Sequence, residues 1–223
     1  MKFPILHRWP RDARAAIALQ QRLAPFVRLQ PIPANARLIA GADAAFTSDD
    51  CGVVAAVVVW DLVTQGPVAS ATAKRPCNFP YVPGLLAFRE LPCILAAFRK
   101  LRIRPDAVLY DGHGLAHPRR LGITSLLGLW LGIPTVGCAK SRLVGTYDEP
   151  PPERGGMRPL YDQGEQIGVV LRTRTGVKPV FVSPGHLCDH AGAVCLTLAT
   201  ATKYRLPEPL RLAHQCVSAL RRG

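Results

Sequence analysis

The sequence has 223 residues, of which 28 are Lys or Arg and 15 are Asp or Glu, so its formal net charge is +13. This length predicts a single domain over residues 1–223, because domains commonly span about 100–200 residues. A hydrophobic fraction of 48% excludes a chain that is intrinsically disordered throughout. A pI near 10.0 indicates a polyanionic partner, either a nucleic acid or an anionic membrane surface. The alternative is a basic, solvated surface with no specific partner, and we favour nucleic acid.

Neither the cysteines nor the first residues indicate export. Seven cysteines without a CxxC pair are typical of reduced thiols, not of a zinc site or a disulfide scaffold. The opening stretch MKFPILHRWPRD has too short an apolar run for a signal peptide. Segment 121–139 is uncharged, but Pro134 and four glycines interrupt it, so a buried helix followed by a buried strand explains it better than a membrane span. We therefore expect a cytoplasmic protein without a membrane partner.

The predicted elements form a meander followed by alternating helices and strands. A helix over 12–28 precedes three strands at 38–46, 52–62 and 68–73, whose short turns predict antiparallel pairing. The alternating part then contains a helix over 85–101, where Pro92 marks a break or a helix start, a strand at 107–111, a helix at 119–131 and a strand at 135–139. A proline-rich loop at 147–156, a late hairpin at 167–172 and 179–182, and helices at 187–203 and 208–221 complete the chain. This pattern predicts an α/β fold whose mixed five-stranded central sheet, in strand order 3-2-1-4-5, has flanking helices and a late extra hairpin.

Two of the fifteen acidic residues stand in unusual places. Asp43 lies inside an apolar strand, and Asp111 ends a buried strand immediately before Gly112. A buried carboxylate needs a partner, which can be an arginine, a set of backbone N–H groups or a divalent cation. In the order 3-2-1-4-5 the two acids are neighbours, and two neighbouring carboxylates favour Mg²⁺ or Mn²⁺ between them. Glu90 is a third candidate acid, although Arg89 beside it is also consistent with a surface pair.

Four further features are candidates for binding or chemistry. Tyr81 lies between two prolines, which suits an aromatic wedge against stacked bases, although a packed loop aromatic is the alternative. The glycine-rich stretch 111–122 permits close approach of the backbone to a phosphate or a base. Lys140 and Arg142 lie at the same edge of the sheet as Asp111. His214 lies on a late helix and matters only if that helix folds back over the carboxylates.

Six stretches of this chain together resemble the endonuclease V family of nucleases that act on deaminated bases. They occur in the order of the family, and the resemblance runs from roughly residue 12 to residue 216: GADAAF (41–46), FPYVPGLLAFRE (79–90), LYDGHGLAHPRRLGITS (109–125), IPTVGCAKSRLVG (133–145), KPVFVSPGH (178–186) and RLPEPLRLAH (205–214). The resemblance implies a ribonuclease H-like fold. It also implies Mg²⁺-dependent hydrolysis, with Mn²⁺ as a substitute, of the second phosphodiester 3′ to deoxyinosine, leaving 3′-hydroxyl and 5′-phosphate ends.

The same resemblance implies a role for individual residues. Asp43 and Asp111 are implied metal ligands, and Glu90 holds or orients the attacking water. Lys140 stabilises charge on the scissile phosphate, and His214 assists beside the metal. Tyr81 is the implied wedge that fills the gap left by an extruded base. The residues implied to form the base pocket are Leu86, Gly112, Gly114, His117, Gly122, Ile123 and Leu143.

Two other functions are compatible with the sequence. An inosine-specific endoribonuclease would have the same chemistry, because the choice between DNA and RNA depends on contacts to the 2′-hydroxyl. A non-catalytic nucleic-acid-binding protein would use the +13 charge alone, but it would not need Asp43, Glu90 and Asp111. We expect a monomeric deoxyribonuclease V that binds DNA containing deaminated bases. Inosine-containing RNA is the alternative partner.

Overall fold

The computed structural model describes residues 1–48 and 51–222. Its strands are β1 (Leu38–Phe46), β2 (Gly52–Asp61), β3 (Gly66–Pro76), β4 (Ala107–Tyr110), β5 (Thr135–Ala139), β6 (Met157–Asp162), β7 (Glu165–Leu171) and β8 (Val180–Pro184). Its α-helices are α1 (Ala13–Leu23), α2 (Leu86–Lys100), α3 (Ile123–Leu131), α4 (His190–Thr200) and α5 (Glu208–Arg222). A single 3₁₀ turn, Ala24–Phe26, extends α1. Within the described part of the chain, no helix is both long enough and apolar enough to cross a bilayer.

All eight strands belong to one mixed sheet in the order β3-β2-β1-β4-β5-β8-β7-β6. The predicted order 3-2-1-4-5 is confirmed, with β1, β2 and β3 antiparallel and β1, β4 and β5 parallel. The late hairpin β7–β8 is also confirmed. It is not separate from the sheet, because β8 pairs antiparallel with β5. Strand β6, which the sequence did not predict, is the edge strand next to β7.

Helices cover both faces of the sheet. On one face, α1, α2 and α3 pack with Ala40, Val57 and Tyr110 in the largest core cluster. On the other face, α4 and α5 pack against residues such as Ile39 and Leu109, which alternate with those of the first face. Strand β2 is buried along its whole length, as its run of valines requires.

Pro92 lies inside helix α2, so the predicted break or helix start at this position is wrong. Proline lacks an N–H and leaves the carbonyl of Phe88 without its helical bond, at a cost of about 3 kcal/mol. The helix continues because its next turns bury Ile94, Leu95 and Phe98 against the sheet. Burial of a large apolar side chain is worth about 1.5–3 kcal/mol, which offsets the loss.

Gly41 allows α5 to lie directly on strand β1. A Cβ at this position would be 2.2 Å from the carbonyl carbon of Pro209 and 2.5 Å from the backbone nitrogen of Leu210. Because these are backbone atoms, no side-chain rotation relieves the overlap. Gly41 therefore sets the distance between the sheet and the helix that carries His214.

We expect Gly41→Ala to lower the free energy of unfolding by about 1–3 kcal/mol, because α5 must move outward. Denaturant unfolding measures this effect. Gly66→Ala is the matched control, because the nearest atom to its added Cβ is 3.9 Å away. Equal stability of the two variants would contradict this account.

Candidate active site

Asp43 and Asp111 lie side by side at the centre of the sheet. The parallel register of β1 and β4 pairs Ala42 with Tyr110, so the next residue of each chain segment is one of the two acids. Both side chains follow the alternation of the sheet toward the face covered by α5. The predicted adjacency of the two carboxylates is thus present in the structure, and it follows from the strand order.

Asp43 is held in place by two hydrogen bonds. Asp43 is buried, with 8% of its surface exposed. Its Oδ1 accepts a hydrogen bond of 2.9 Å from the N–H of Ala44. His214 Nδ1 lies 2.8 Å from Oδ2. Burial raises the pKa of Asp43, the hydrogen bond from His214 opposes that rise, and the charge of Asp111 adds to it. His214 does fold back over the carboxylates, as its predicted role required.

Glu90 is a buried carboxyl on α2 at the edge of the same group. It is 8% exposed, and its Oε2 accepts a hydrogen bond of 2.6 Å from the hydroxyl of Tyr110. Burial is the main cause that raises the pKa of Glu90 to about 8, and the charges of Asp43 and Asp111 raise it further. The surface-pair alternative for Glu90 is therefore wrong. Sequence reasoning missed Tyr110, although a tyrosine within an apolar strand beside an acid is a usable signal.

Lys140 completes the group from the end of β5. Its Nζ forms an ion pair with Oδ2 of Asp111. Arg205 holds this strand end in place, since it donates from Nη2 to the carbonyl of Lys140 at 3.0 Å and to that of Pro179 at 2.8 Å. Sequence reasoning also missed Arg205, which acts through the backbone and carries no local signal.

A cavity of about 320 Å³ joins these side chains. Its lining includes all five residues that were predicted as catalytic: Asp43, Glu90, Asp111, Lys140 and His214. Leu86, Val217, Ser218 and Arg221 also line it. Within the described residues, no three Asp, Glu, His or Cys side chains form a ready-made metal-binding group. Two adjacent carboxylates nonetheless suit Mg²⁺, which is commonly held by one or two carboxylates and completes its shell with water and phosphate oxygens.

A second cavity of about 200 Å³ shares Leu86 with the first. Its lining contains seven of the eight residues predicted to bind the base or to act as the wedge: Tyr81, Leu86, Gly112, His117, Gly122, Ile123 and Leu143. Tyr81 is 70% exposed, so it stands at the mouth of the cavity and is not packed inside it. The packed-loop alternative for Tyr81 is therefore wrong.

Gly114, the eighth of these residues, does not line the cavity. Its N–H donates to Oγ of Ser183 at 2.9 Å, and an added Cβ would be 2.0 Å from the carbonyl oxygen of Pro184. Gly114 therefore fixes the glycine-rich loop against β8. It supports the cavity wall without lining it, because only a residue without a side chain lets the loop come this close to the backbone of Pro184.

Gln20 and His117 hold the wall of the second cavity through backbone groups. Gln20 is buried and donates from Nε2 to the carbonyls of Gly84 at 3.1 Å and Leu121 at 3.0 Å. His117 lies with Nε2 2.9 Å from the carbonyl of Gly84, and its Nδ1 accepts from the N–H of Arg119 at 3.1 Å. The acceptor role of Nδ1 makes Nε2 the protonated nitrogen of a neutral ring. His117 thus supports the wall, and Gln20 was missed because its partners are distant in sequence.

Protonation of His117 is expected to destabilise the protein in acid. Burial is the main cause that lowers the pKa of His117 from 6.5 to about 4. Its contribution to stability is therefore full above pH 6.5 and is lost as the pH falls from 6.5 to about 4. Between pH 7 and pH 4.5, the wild type should lose about 2 kcal/mol more unfolding free energy than His117→Gln. Denaturant titrations at both pH values test this, since other histidines contribute equally to both proteins, and parallel losses would contradict it.

The sequence profile of the Endonuclease V family matches residues 21–215. The chain belongs to the endonuclease V family. Endonuclease V of Myxococcus xanthus (strain DK1622) is 48% identical over 221 residues, which are 99% of this chain and 94% of that protein. The resemblance drawn from the six sequence stretches is confirmed, and all five residues that were predicted as catalytic lie within the matched span.

Solved structures of endonuclease V share the fold of this chain. The crystal structure of Endonuclease V from Streptomyces avermitilis has a TM-score of 0.92 at 44% identity, and covers 96% of this chain and 95% of that one. Endonuclease V of Ciona intestinalis, crystallised with a 24mer DNA containing an inosine followed by a ribo-adenosine, has a TM-score of 0.80 at 23% identity, with coverages of 94% and 97%. The predicted ribonuclease H-like α/β fold is confirmed.

Proposed function

We propose that this endonuclease V recognises deaminated bases in DNA, chiefly deoxyinosine, and hydrolyses the second phosphodiester 3′ to the lesion to initiate repair. The observation that supports this most directly is the pair of cavities that share Leu86. One is small, mostly apolar in its lining and built from glycine-rich backbone, as a pocket for an extruded base should be. The other is acidic and lies next to it, where a phosphodiester of the same strand would be placed.

In this proposal Asp43 and Asp111 hold Mg²⁺, for which Mn²⁺ can substitute. The donor set fits a hard divalent cation, because both ligands are carboxylates, one on β1 and one directly after β4. Burial is the main cause that raises the pKa of Asp43, and the charge of Asp111 raises it further. When bound, the cation supplies Lewis-acid stabilisation of phosphate charge and lowers the pKa of coordinated water. One ion is sufficient for the two direct ligands.

The other side chains act on the water and on the phosphate. Glu90 orients the attacking water, and the hydroxyl of Tyr110 fixes the orientation of its carboxyl. Lys140 leaves its resting partner Asp111 to neutralise charge on the scissile phosphate. His214 keeps Asp43 in position through the bond to Oδ2. Attack on phosphorus breaks the bond to the 3′-oxygen and leaves 3′-hydroxyl and 5′-phosphate ends.

The base cavity selects the lesion by extrusion. Unstacking a base costs a few kcal/mol, and it costs least for a weakly paired base such as hypoxanthine. Tyr81 fills the gap in the duplex, while Gly112 and Gly122 bring backbone groups to the extruded base. Leu86, Ile123 and Leu143 provide its apolar walls. We further propose that the chain acts as a single-domain monomer in the cytoplasm.

Matched strands that carry one inosine in DNA or in RNA test this proposal. With Mg²⁺, we expect cleavage of the deoxyinosine strand and none of an undamaged strand, and EDTA should abolish it. Preferential cleavage of the RNA strand would favour the endoribonuclease alternative. Salt-sensitive binding without any turnover would favour a purely binding role.

A further inference from the structure

A third cavity, of about 550 Å³, forms a basic groove beside the Tyr81 segment. Arg11, Arg75 and Arg89 line it, and none of the described residues in its lining is acidic. Trp9, Phe79 and Phe88 are also part of its lining. A groove lined by several arginines and no acid matches the chemistry of a nucleic-acid backbone, whose phosphates attract the arginines.

The arginines of this groove are available for a ligand. Arg11 and Arg75 are exposed, and neither takes part in an ion pair among the described residues. The Nε of Arg89 is buried without a hydrogen-bond partner, and its guanidinium lies 4.0 Å from the ring centroid of Phe46 and 5.7 Å from that of Tyr81. The groove thus has positive charge that the protein itself does not neutralise.

The groove and the acidic cavity lie on different sides of the start of α2. Leu86 and Glu90 line the acidic cavity, and their spacing of four residues puts them on one face of the helix. Phe88 and Pro92 line the groove and lie on the roughly opposite face by the same geometry. The chain from Asn78 to Tyr81 therefore runs from the groove to the mouth of the base cavity.

We propose that this groove binds the backbone of the lesion-containing strand on the 5′ side of the extruded base. The inference rests on the proposed function, in which the acidic cavity takes the strand 3′ to the lesion. A strand whose base lies in the base cavity must then leave past Tyr81 on the other side. There it meets Arg11 and Arg75.

The test uses single-stranded DNA with one deoxyinosine, a constant 3′ flank, and a 5′ flank of about two or about ten nucleotides. Binding is measured in EDTA, so no turnover occurs, and over a range of KCl concentrations. The wild type should bind the longer 5′ flank more tightly. The double variant Arg11→Gln/Arg75→Gln should lose about tenfold on that strand, and its salt dependence should fall by about 0.7 for each lost phosphate contact.

Arg158→Gln is the matched control, because Arg158 is an exposed arginine on β6 at the opposite edge of the sheet. It removes one of the two positive charges that the double variant removes, and it should leave the 5′-flank effect unchanged. An equal response of the double variant and the control would overturn the inference, and so would a loss that appears only with duplex DNA, which would assign the groove to the complementary strand. Failure of the proposed function is seen separately, as equal binding of deoxyinosine and deoxyadenosine strands by the wild type.

Discussion

Asp111→Asn should slow cleavage of deoxyinosine DNA by about 10³-fold, and Asp43→Asn should have a similar effect. Each change keeps the volume of the side chain but removes one of the two charges that would hold the proposed cation, so the loss falls on electrostatic stabilisation of the transition state. Single-turnover rates at saturating Mg²⁺ measure it. The Lys140 ammonium also loses its ion-pair partner in Asp111→Asn.

Asp148→Asn is the control for these two variants. Asp148 is exposed on the proline-rich loop, so the same change of charge should leave the rate within about twofold, because surface substitutions away from a site have small effects. Rates for Asp43→Asn and Asp111→Asn that match this control would show that the metal-site assignment is wrong.

Glu90→Gln should slow cleavage by at least about 10²-fold, because a neutral amide is a weaker hydrogen-bond acceptor than a carboxylate and holds the attacking water less firmly. Most substitutions of buried residues lower the free energy of unfolding, but this one should not. Burial raises the pKa of Glu90 to about 8, so the folded chain disfavours an ionised carboxyl here, and a neutral amide of the same shape removes that cost. We therefore expect an unfolding free energy equal to or higher than that of the wild type, together with a large loss of activity.

Denaturant unfolding at pH 8.5 and cleavage rates at the same pH test this pairing of effects. Glu153→Gln, at an exposed position, is the control for both measurements. If Glu90→Gln retained activity, Glu90 would have no role in the reaction. If the loss of activity came with a large loss of stability, the cause would be damage to the fold.

The acidic centre could be predicted because its residues are out of place in their local sequence. Asp43 lies within an apolar strand and Asp111 directly follows one, and the strand order makes them neighbours. The structural roles of Gly41 and Gly114 could not be predicted from the sequence. A side chain at either position would overlap the backbone of Pro209 or Pro184, and these segments come close only in the folded chain.

Contacts between distant segments could not be predicted from local patterns. Tyr110 and Glu90 meet across a strand and a helix, and Gln20 reaches carbonyls 64 and 101 residues away. Strand β6 gives a weak signal for a different reason. It lies at the edge of the sheet and contains Pro159, and of its six residues only Leu160 is buried. Helix α2 continues through Pro92 because tertiary packing outweighs a local preference.

The charge of the chain acquires a clearer role in the folded protein. Part of the +13 excess lies around the two cavities and the basic groove, where Arg11, Arg75 and Lys140 would meet phosphates. In the proposed function the acids at the centre add hydrolysis to that affinity, since binding to a polyanion alone needs none of them.

Mapping the cleavage products of a DNA strand with one deoxyinosine, in the presence of Mg²⁺, tests the central claim most directly. The account predicts one nick at the second phosphodiester 3′ to the lesion, with 3′-hydroxyl and 5′-phosphate ends. A nick at the first phosphodiester, equal cleavage of undamaged DNA, or no cleavage would contradict it.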